Sequence, residues 1–121
     1  MTVPLSSIVH IEQGEEKANI TGFLQRLKDK LQKENLWFFI LLLLSAEPRY
    51  GYELRKLVME EFGFWSGNVT AYRVLYSLEA AGLVKSQVND RRKYYEITES
   101  GKREVEQAKS FLRGILESAG N

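Results

Sequence analysis

The chain has 121 residues, no cysteine and a net charge of +1. This length predicts a single domain, and the absence of thiols excludes disulfides and thiolate metal sites. Because positive and negative charges nearly balance, any contact with a polyanion must depend on local clusters of basic residues. His10 is the one histidine of the sequence, so we expect neither a histidine-based metal site nor a catalytic triad, and no cofactor.

The N-terminal stretch carries no recognisable targeting signal. Its first dozen residues lack both a basic run and a long apolar segment. The continuous apolar run at residues 36–44 has nine residues, whereas crossing a bilayer takes roughly 20. We therefore expect a cytoplasmic protein without membrane contact. Residues 1–18 are polar and show no clear period, and we interpret them as a flexible arm.

An amphipathic helix is predicted after this arm. Residues 19–33 place five apolar side chains on one helical stripe, with charged and amide side chains elsewhere. The stripe consists of Ile20, Phe23, Leu24, Leu27 and Leu31. We interpret residues 19–34 as an accessory helix that packs on the domain or on a partner subunit.

Two further helices are predicted next. Residues 36–46 are apolar on every side, which is typical of a helix enclosed in a core. Pro48 ends this helix, because the residue before proline is disfavoured in the helical conformation. Residues 51–62 form the second helix, and Gly63 is well placed to close it in a left-handed conformation. Its predicted buried stripe is Leu54, Leu57, Val58 and Phe62, and Glu53 is among the residues predicted to face outward.

A third helix and a β-hairpin are predicted after these two helices. Residues 68–81 form the helix, and Gly82 ends it. Its predicted buried face is Ala71, Val74, Leu75, Leu78 and Ala81. A β-hairpin follows, with a charged tip at residues 89–93. A helix followed at once by a basic-tipped hairpin is typical of a winged helix-turn-helix, so residues 35–97 are predicted to form this DNA-binding domain.

A last helix is predicted over residues 98–121, with Thr98 as its cap. Apolar residues then recur at spacings of three and four, as in a short coiled-coil seam. This seam consists of Val105, Ala108, Leu112, Ile115 and Ala119. A stripe this far from the core is best explained by a second subunit. The predicted fold class is therefore mainly α with a small β-hairpin, a winged helix-turn-helix with N-terminal and C-terminal dimerisation helices.

We expect the charged tip to supply the electrostatic contact with double-stranded DNA. From Lys85 to Lys93 there are four basic residues and one acidic residue, a local net charge of +3. In this class of domain the third helix enters the major groove with its N-terminal residues, while the wing lies along the backbone or in the minor groove. The predicted DNA-contacting residues are Asn68, Thr70, Tyr72, Arg73, Arg91, Arg92 and Lys93.

Two other hypotheses come from the same residues. Trp37, Phe38, Trp65 and Phe111 would wall an apolar cavity for a small effector at the dimer interface, although packed core side chains explain these aromatics as well. A protein-interaction module that never binds DNA is the alternative to the DNA-binding function, because the third helix is weakly charged. The charged wing opposes that alternative. No enzyme is expected, since the sequence has no nucleophile elbow, Walker loop or dinucleotide fingerprint.

Several motifs together resemble the PadR family of transcriptional regulators. They are GYEL at 51–54, TAYRVL at 70–75, LEAAGLV at 78–84 and RKYYEITESG at 92–101. The resemblance implies a winged-helix homodimer, joined largely through its C-terminal helix, that represses from a palindromic operator and is often released by a small molecule. It also implies a backbone contact from Tyr72 and wing contacts from Arg91, Arg92 and Lys93. Val69 stands where the family usually has glycine, and the segment before residue 36 is longer than the family's usual start. We infer that this extra helix packs near the C-terminal one.

Overall fold

The computed structural model describes residues 20–120, and the side chains of residues 22–118. The predicted arm at residues 1–18 lies outside the described residues. The chain divides into two units, Met1–Glu34 and Asn35–Asn121. In the first unit, α1 (Ile20–Gln32) is the predicted amphipathic helix, and it exposes Phe23, Leu27 and Leu31. A short 3-10 helix, Lys33–Asn35, follows it.

The second unit is mainly helical, with a small antiparallel sheet and a long C-terminal helix. Its elements are α2 (Leu36–Ala46), β1 (Arg49–Tyr50), α3 (Gly51–Phe62), α4 (Asn68–Ala80), β2 (Val84–Asn89), β3 (Arg92–Ile97) and α5 (Glu99–Gly120). This order is that of a winged helix: three helices, then a hairpin, then a further helix. The predicted fold class is confirmed in its architecture: mainly α with a small antiparallel sheet, a winged helix with a long C-terminal helix.

Helix α2 is the centre of the core. It packs against α3, α4, α5 and β3, and Leu36, Ile40, Leu41 and Leu44 are at most 1% exposed. Burying each such side chain stabilises the fold by about 1.5–3 kcal/mol, before conformational entropy is counted. The helix ends at Ala46 because the next residue adopts an extended conformation in front of proline.

The sheet has three strands in the order β1-β3-β2, one more than the predicted hairpin. Strand β1 is only two residues long, and it pairs Arg49 with Tyr95 on β3. A strand this short has no detectable alternation in sequence. On the wing itself, Val84 of β2 pairs with Ile97 of β3, and both side chains are buried. The wing is therefore anchored to the core at its base.

At the ends of α3 and α4, some predictions from the sequence are confirmed and others are wrong. Gly63 closes α3 with φ 77°, as predicted. Glu53 was predicted to face outward, but its carboxylate accepts the Tyr50 backbone N–H at 2.7 Å and so caps α3. On α4, Leu75 is buried as predicted. Ala81 is exposed instead, because α4 ends one residue earlier and the chain already turns there.

Helix α5 begins in the core and ends away from it. Thr98 Oγ1 accepts the Gly101 N–H at 3.1 Å, which confirms the predicted cap, and donates to the Gly82 carbonyl oxygen at 2.7 Å. Val105, predicted as a dimerisation residue, is 1% exposed and belongs to the core of its own chain. It is buried because the first turns of α5 pack on α2 and β3. Ala119 lies outside the described side chains.

Candidate nucleic-acid interface

The N-terminus of α4 is presented by a glycine turn. Gly67 has φ 93°, a conformation that disfavours other residues, and the helix starts at Asn68. Asn68 is exposed, and Thr70, two residues further along the helix, is half-buried. The first turn of a helix carries backbone N–H groups without intrahelical acceptors, and these attract phosphate. The N-terminal end of α4 is thus suited to meet a nucleic-acid backbone.

The tip of the wing is a two-residue turn. Asn89 pairs with Arg92, which leaves Asp90 and Arg91 as the connecting residues. They have φ values of 55° and 66°, the pattern of a type I′ hairpin turn. Glycine and asparagine suit this turn, whereas a left-handed arginine is strained by about 1–2 kcal/mol. An unfavourable residue at an exposed turn indicates a role other than stability.

A groove lies between α4, the start of α3 and the wing, and we call it the wing groove. Its volume is about 440 Å³. Its lining residues are Gly51, Tyr52, Tyr72, Tyr76, Glu79, Arg92, Lys93 and Tyr95. Three of the tyrosines, Tyr52, Tyr72 and Tyr76, are more than half exposed. The groove thus combines aromatic rings and hydroxyl donors with two cations.

A tyrosine on α3 holds one side of the wing. The Arg92 guanidinium lies 5.3 Å from the centre of the Tyr52 ring and donates to its hydroxyl at 3.4 Å. Tyr52 in turn stacks on Tyr50, whose hydroxyl accepts from the side chain of Asn89 at 3.1 Å. Sequence reasoning missed Tyr52. The signal that could have found it is a large aromatic residue placed outside the apolar stripe of α3.

A glutamate on α4 holds the other side of the wing, and it too was missed. The Glu79 carboxylate accepts a hydrogen bond from Ser86 Oγ at 2.7 Å and lies 3.9 Å from Lys93 Nζ. Burial raises the pKa of Tyr95 above its usual value, and the nearby charge of Glu79 raises it further. Since Ser86 is on β2 and Lys93 on β3, Glu79 is linked to both strands of the wing.

The structure brings only part of the predicted DNA-contacting set together. Tyr72, Arg92 and Lys93 line the wing groove, and Arg91 stands at the wing tip. Arg73 lines a different cavity of about 370 Å³. The other residues of that cavity are Trp37, Val74, Ser77, Leu78, Leu83 and Glu104, so we call it the Trp37 cavity. The reason is rotation along α4: consecutive residues point about 100° apart, which separates Tyr72 from Arg73.

The four aromatic residues predicted to wall an effector cavity are dispersed within the chain. Trp37 lines the Trp37 cavity, while Trp65 lines a small cavity of about 80 Å³ together with Asn68 and Tyr72. The Phe38 ring packs edge-on against Trp37, with centroids 5.8 Å apart. Phe111 is 68% exposed on α5. A shared cavity for all four would therefore need a second subunit.

Across the residues that the structure describes, no cluster of three or more acidic or histidine side chains could hold a metal ion. Within residues 20–120, none of the helices has the length and apolar composition needed to cross a bilayer.

Known proteins match this arrangement. The sequence profile of the transcriptional regulator PadR-like family matches residues 40–107. Among solved structures, a transcriptional regulator from Clostridium thermocellum is 26% identical, with a TM-score of 0.65 over 76% of this chain and 95% of that one. A PadR family regulator from Clostridium difficile R20291 is 29% identical, with a TM-score of 0.61 over 70% and 97%. No curated protein matches.

One similar structure contains nucleic acid. Bacillus subtilis PadR in complex with operator DNA is 30% identical, with a TM-score of 0.55 over 60% of this chain and 45% of that one. Fold, wing and matches together define a DNA-binding transcriptional regulator of the winged-helix class. The chain belongs to the PadR-like family, which consists of transcriptional regulators and not of enzymes.

Proposed function

We propose that this protein is a homodimeric repressor that binds a palindromic operator in the cytoplasm. The observation that carries the proposal is the wing tip, where Arg91 occupies a left-handed turn position that glycine would fill with less strain. Arg91, Arg92 and Lys93 then follow one another along the exposed wing. Retaining a cation there at a loss of stability is understandable if Arg91 contacts a phosphate or the minor groove.

The N-terminal residues of α4 complete the proposed DNA-contacting surface. Asn68 is at the helix start, and Thr70 and Tyr72 are within its first two turns. We propose that the first turn of α4 meets a phosphate and base edges in the major groove, with the Tyr72 hydroxyl on the backbone. Arg73, on the side of the Trp37 cavity, is proposed to reach a phosphate beside the helix. Because α4 is weakly charged, affinity depends on the wing and falls steeply with salt.

The second half of α5 supports the dimer. Phe111, Ile115 and Leu116 are exposed there, and Leu112 is half-buried beside them. Together with Ala108 they continue the stripe that Val105 begins inside the core. An exposed apolar face of this length is typical of a helix that packs on a partner. We propose that two copies pair through it and place their α4 helices about 34 Å apart, one turn of duplex.

Release by a small hydrophobic ligand is the second candidate function. The Trp37 cavity favours it, because its wall is largely apolar and includes side chains of α4. A planar ligand bound there would contact the helix that is proposed to read DNA. Titrating planar apolar compounds should quench tryptophan fluorescence in the Trp65→Phe variant, where Trp37 alone remains. A flat response in that variant contradicts an effector site at Trp37.

A mobility-shift titration tests the proposed function. The probes are a duplex from the region upstream of the protein's own coding sequence and a scrambled duplex of the same composition. We expect the upstream duplex to be bound more tightly, and binding of both to weaken as salt rises. Absence of salt-sensitive binding to either duplex would leave the alternative, a winged helix that serves only protein contacts.

A further inference from the structure

Glu79 is an unexpected residue at the proposed DNA interface. It lies on the last turns of α4 and lines the wing groove beside Arg92 and Lys93. Among the described residues of this groove, it is the one acidic side chain. A carboxylate that faces a phosphate backbone is repelled by it, so an interface optimised for affinity alone would not place one here.

The contacts of Glu79 give it a geometric role. Its two carboxylate oxygens have different partners: Oε2 accepts from Ser86 Oγ at 2.7 Å, and Oε1 lies 3.9 Å from Lys93 Nζ. Ser86 is half-buried on β2, and Lys93 is exposed on β3. One side chain of α4 therefore contacts both strands of the wing, through a hydrogen bond to β2 and an ion pair with β3. A tilt of the wing away from α4 would lengthen the hydrogen bond between Ser86 and Glu79.

The same contacts affect charge. While Lys93 lies beside Glu79, part of its positive charge is neutralised and is less available to a phosphate. The side chains of Lys93 and Glu79 are 55% and 35% exposed, so solvent screens much of their attraction and the effect on Lys93 is modest. DNA that fits the groove must draw Lys93 toward its backbone against Glu79. Duplexes that fit poorly are then disfavoured more than the operator.

We propose that Glu79 is a positioning residue that also raises specificity: it fixes the wing against α4, and its charge lowers the affinity for duplexes that are bound out of register. This inference rests on the proposed function, since it concerns how that interface selects DNA. The positioning of the wing and the gain in specificity depend on different contacts of Glu79. The hydrogen bond to Ser86 holds the wing, and the negative charge beside Lys93 weakens non-specific binding.

Three variants separate these effects. Glu79→Gln keeps an oxygen that can accept from Ser86 but removes the charge beside Lys93. Ser86→Ala removes the hydrogen bond and keeps the charge. Glu96→Gln is the matched control, because Glu96 is an exposed carboxylate of the same wing that lies 3.9 Å from Lys85 Nζ and does not line the groove. Each Gln variant removes one negative charge and frees one wing lysine.

The measurement is duplex affinity at several salt concentrations, for the upstream and the scrambled duplex, with circular dichroism to verify folding. We expect Glu79→Gln to bind the scrambled duplex about three- to tenfold more tightly and to steepen the plot of log K against log salt by about 0.9, one further phosphate contact. The ratio of upstream to scrambled affinity should fall. Ser86→Ala should leave the slope unchanged and weaken binding of the upstream duplex by about two- to fivefold.

Three outcomes have distinct meanings. If wild-type protein binds both duplexes with the expected salt dependence, but Glu79→Gln behaves like Glu96→Gln, only net charge matters and the inference about Glu79 is overturned. If wild-type protein binds neither duplex, the proposed function itself fails. An unchanged upstream affinity in Ser86→Ala overturns the positioning role, whatever the charge variants do.

Discussion

The wing groove and the second half of α5 both expose large side chains, but they differ in how those side chains are held. In the wing groove, Arg92 lies over Tyr52 and Glu79 bonds to Ser86, so the surface is already ordered within one chain. On α5, Phe111 and Leu116 are about 70% exposed. The first surface is aromatic and charged and suits a hydrated polyanion. The second is apolar and suits another apolar surface.

Helix α5 can serve two purposes because its two halves have different surroundings. The start of α5 is bound into the core by Thr98, Gly101 and Val105, whereas its later turns extend away with the same apolar period. The period therefore continues from an intramolecular contact into a proposed intermolecular one. The following changes test each surface separately, in order of decreasing expected effect.

The largest effect is expected from charges on the exposed part of α5. Leu112→Asp with Ile115→Asp should convert the proposed dimer to a monomer, because two carboxylates cannot be buried at an apolar interface. Losing the second half-site should weaken operator binding by about 10²–10⁴-fold. Analytical ultracentrifugation and a mobility shift measure the two effects. Ser110→Asp, exposed on the other face of α5, is the control, and a double variant that remains dimeric contradicts the proposed interface.

Glycine substitutions distinguish the two halves of α5 by stability. A Cβ at Gly101 would approach Ile97 Cγ1 to 2.6 Å and come closer still to the Leu83 carbonyl oxygen. We expect Gly101→Ala to lower the free energy of unfolding by about 1–3 kcal/mol or more. Gly114 has no atom within 4 Å of such a Cβ, so Gly114→Ala should raise it by up to about 1 kcal/mol. Urea unfolding measures both, and equal effects would contradict the packing of Gly101.

At the wing tip, stability and DNA affinity should change in opposite directions. Arg91→Gly relieves a left-handed turn position and should stabilise the protein by about 1 kcal/mol. It should also weaken binding of upstream and scrambled duplexes alike and reduce the salt slope by about 1. Asp90→Gly relieves the same turn without removing a cation, so it should stabilise without weakening binding. If Arg91→Gly changed sequence preference while general affinity held, the wing would be reading bases.

The smallest effect concerns the tyrosine that joins the wing groove to the core. Burial, and then the charge of Glu79, raises the pKa of Tyr95 above its usual 10.0. A raised pKa means that folding favours the neutral phenol, so this contribution is intact below pH 10 and is lost as pH rises through the higher folded value. Between pH 9 and 11, wild type should lose more unfolding free energy than Tyr95→Phe. Tyr76→Phe, at an exposed position, should follow wild type, and parallel curves for all three proteins would contradict the assignment.

Local chemistry made much of the fold predictable. Pro48 and Gly63 end helices by restricting or permitting one backbone conformation, and Thr98 starts one by accepting a backbone N–H. The apolar stripes of α3 and α4 indicated which faces pack on the core because their period matches a helix, and α2 was predicted to be enclosed because it is apolar on every side. The charged tip at residues 89–93, directly behind a helix that Gly82 ends, indicated the hairpin. These signals act within a few residues, so they can be read without the rest of the chain.

Only the tertiary structure decided which distant residues meet. Tyr50 and Tyr94 pair in the sheet although 44 positions separate them. The two residues of β1 are too few to show the alternation that would predict a strand. Sequence alone could not show that Glu79 bonds to the wing or that Val105 is covered by its own chain. Such contacts depend on the angle and register at which elements pack. Tertiary packing sets that geometry, whereas local pattern sets only the elements themselves.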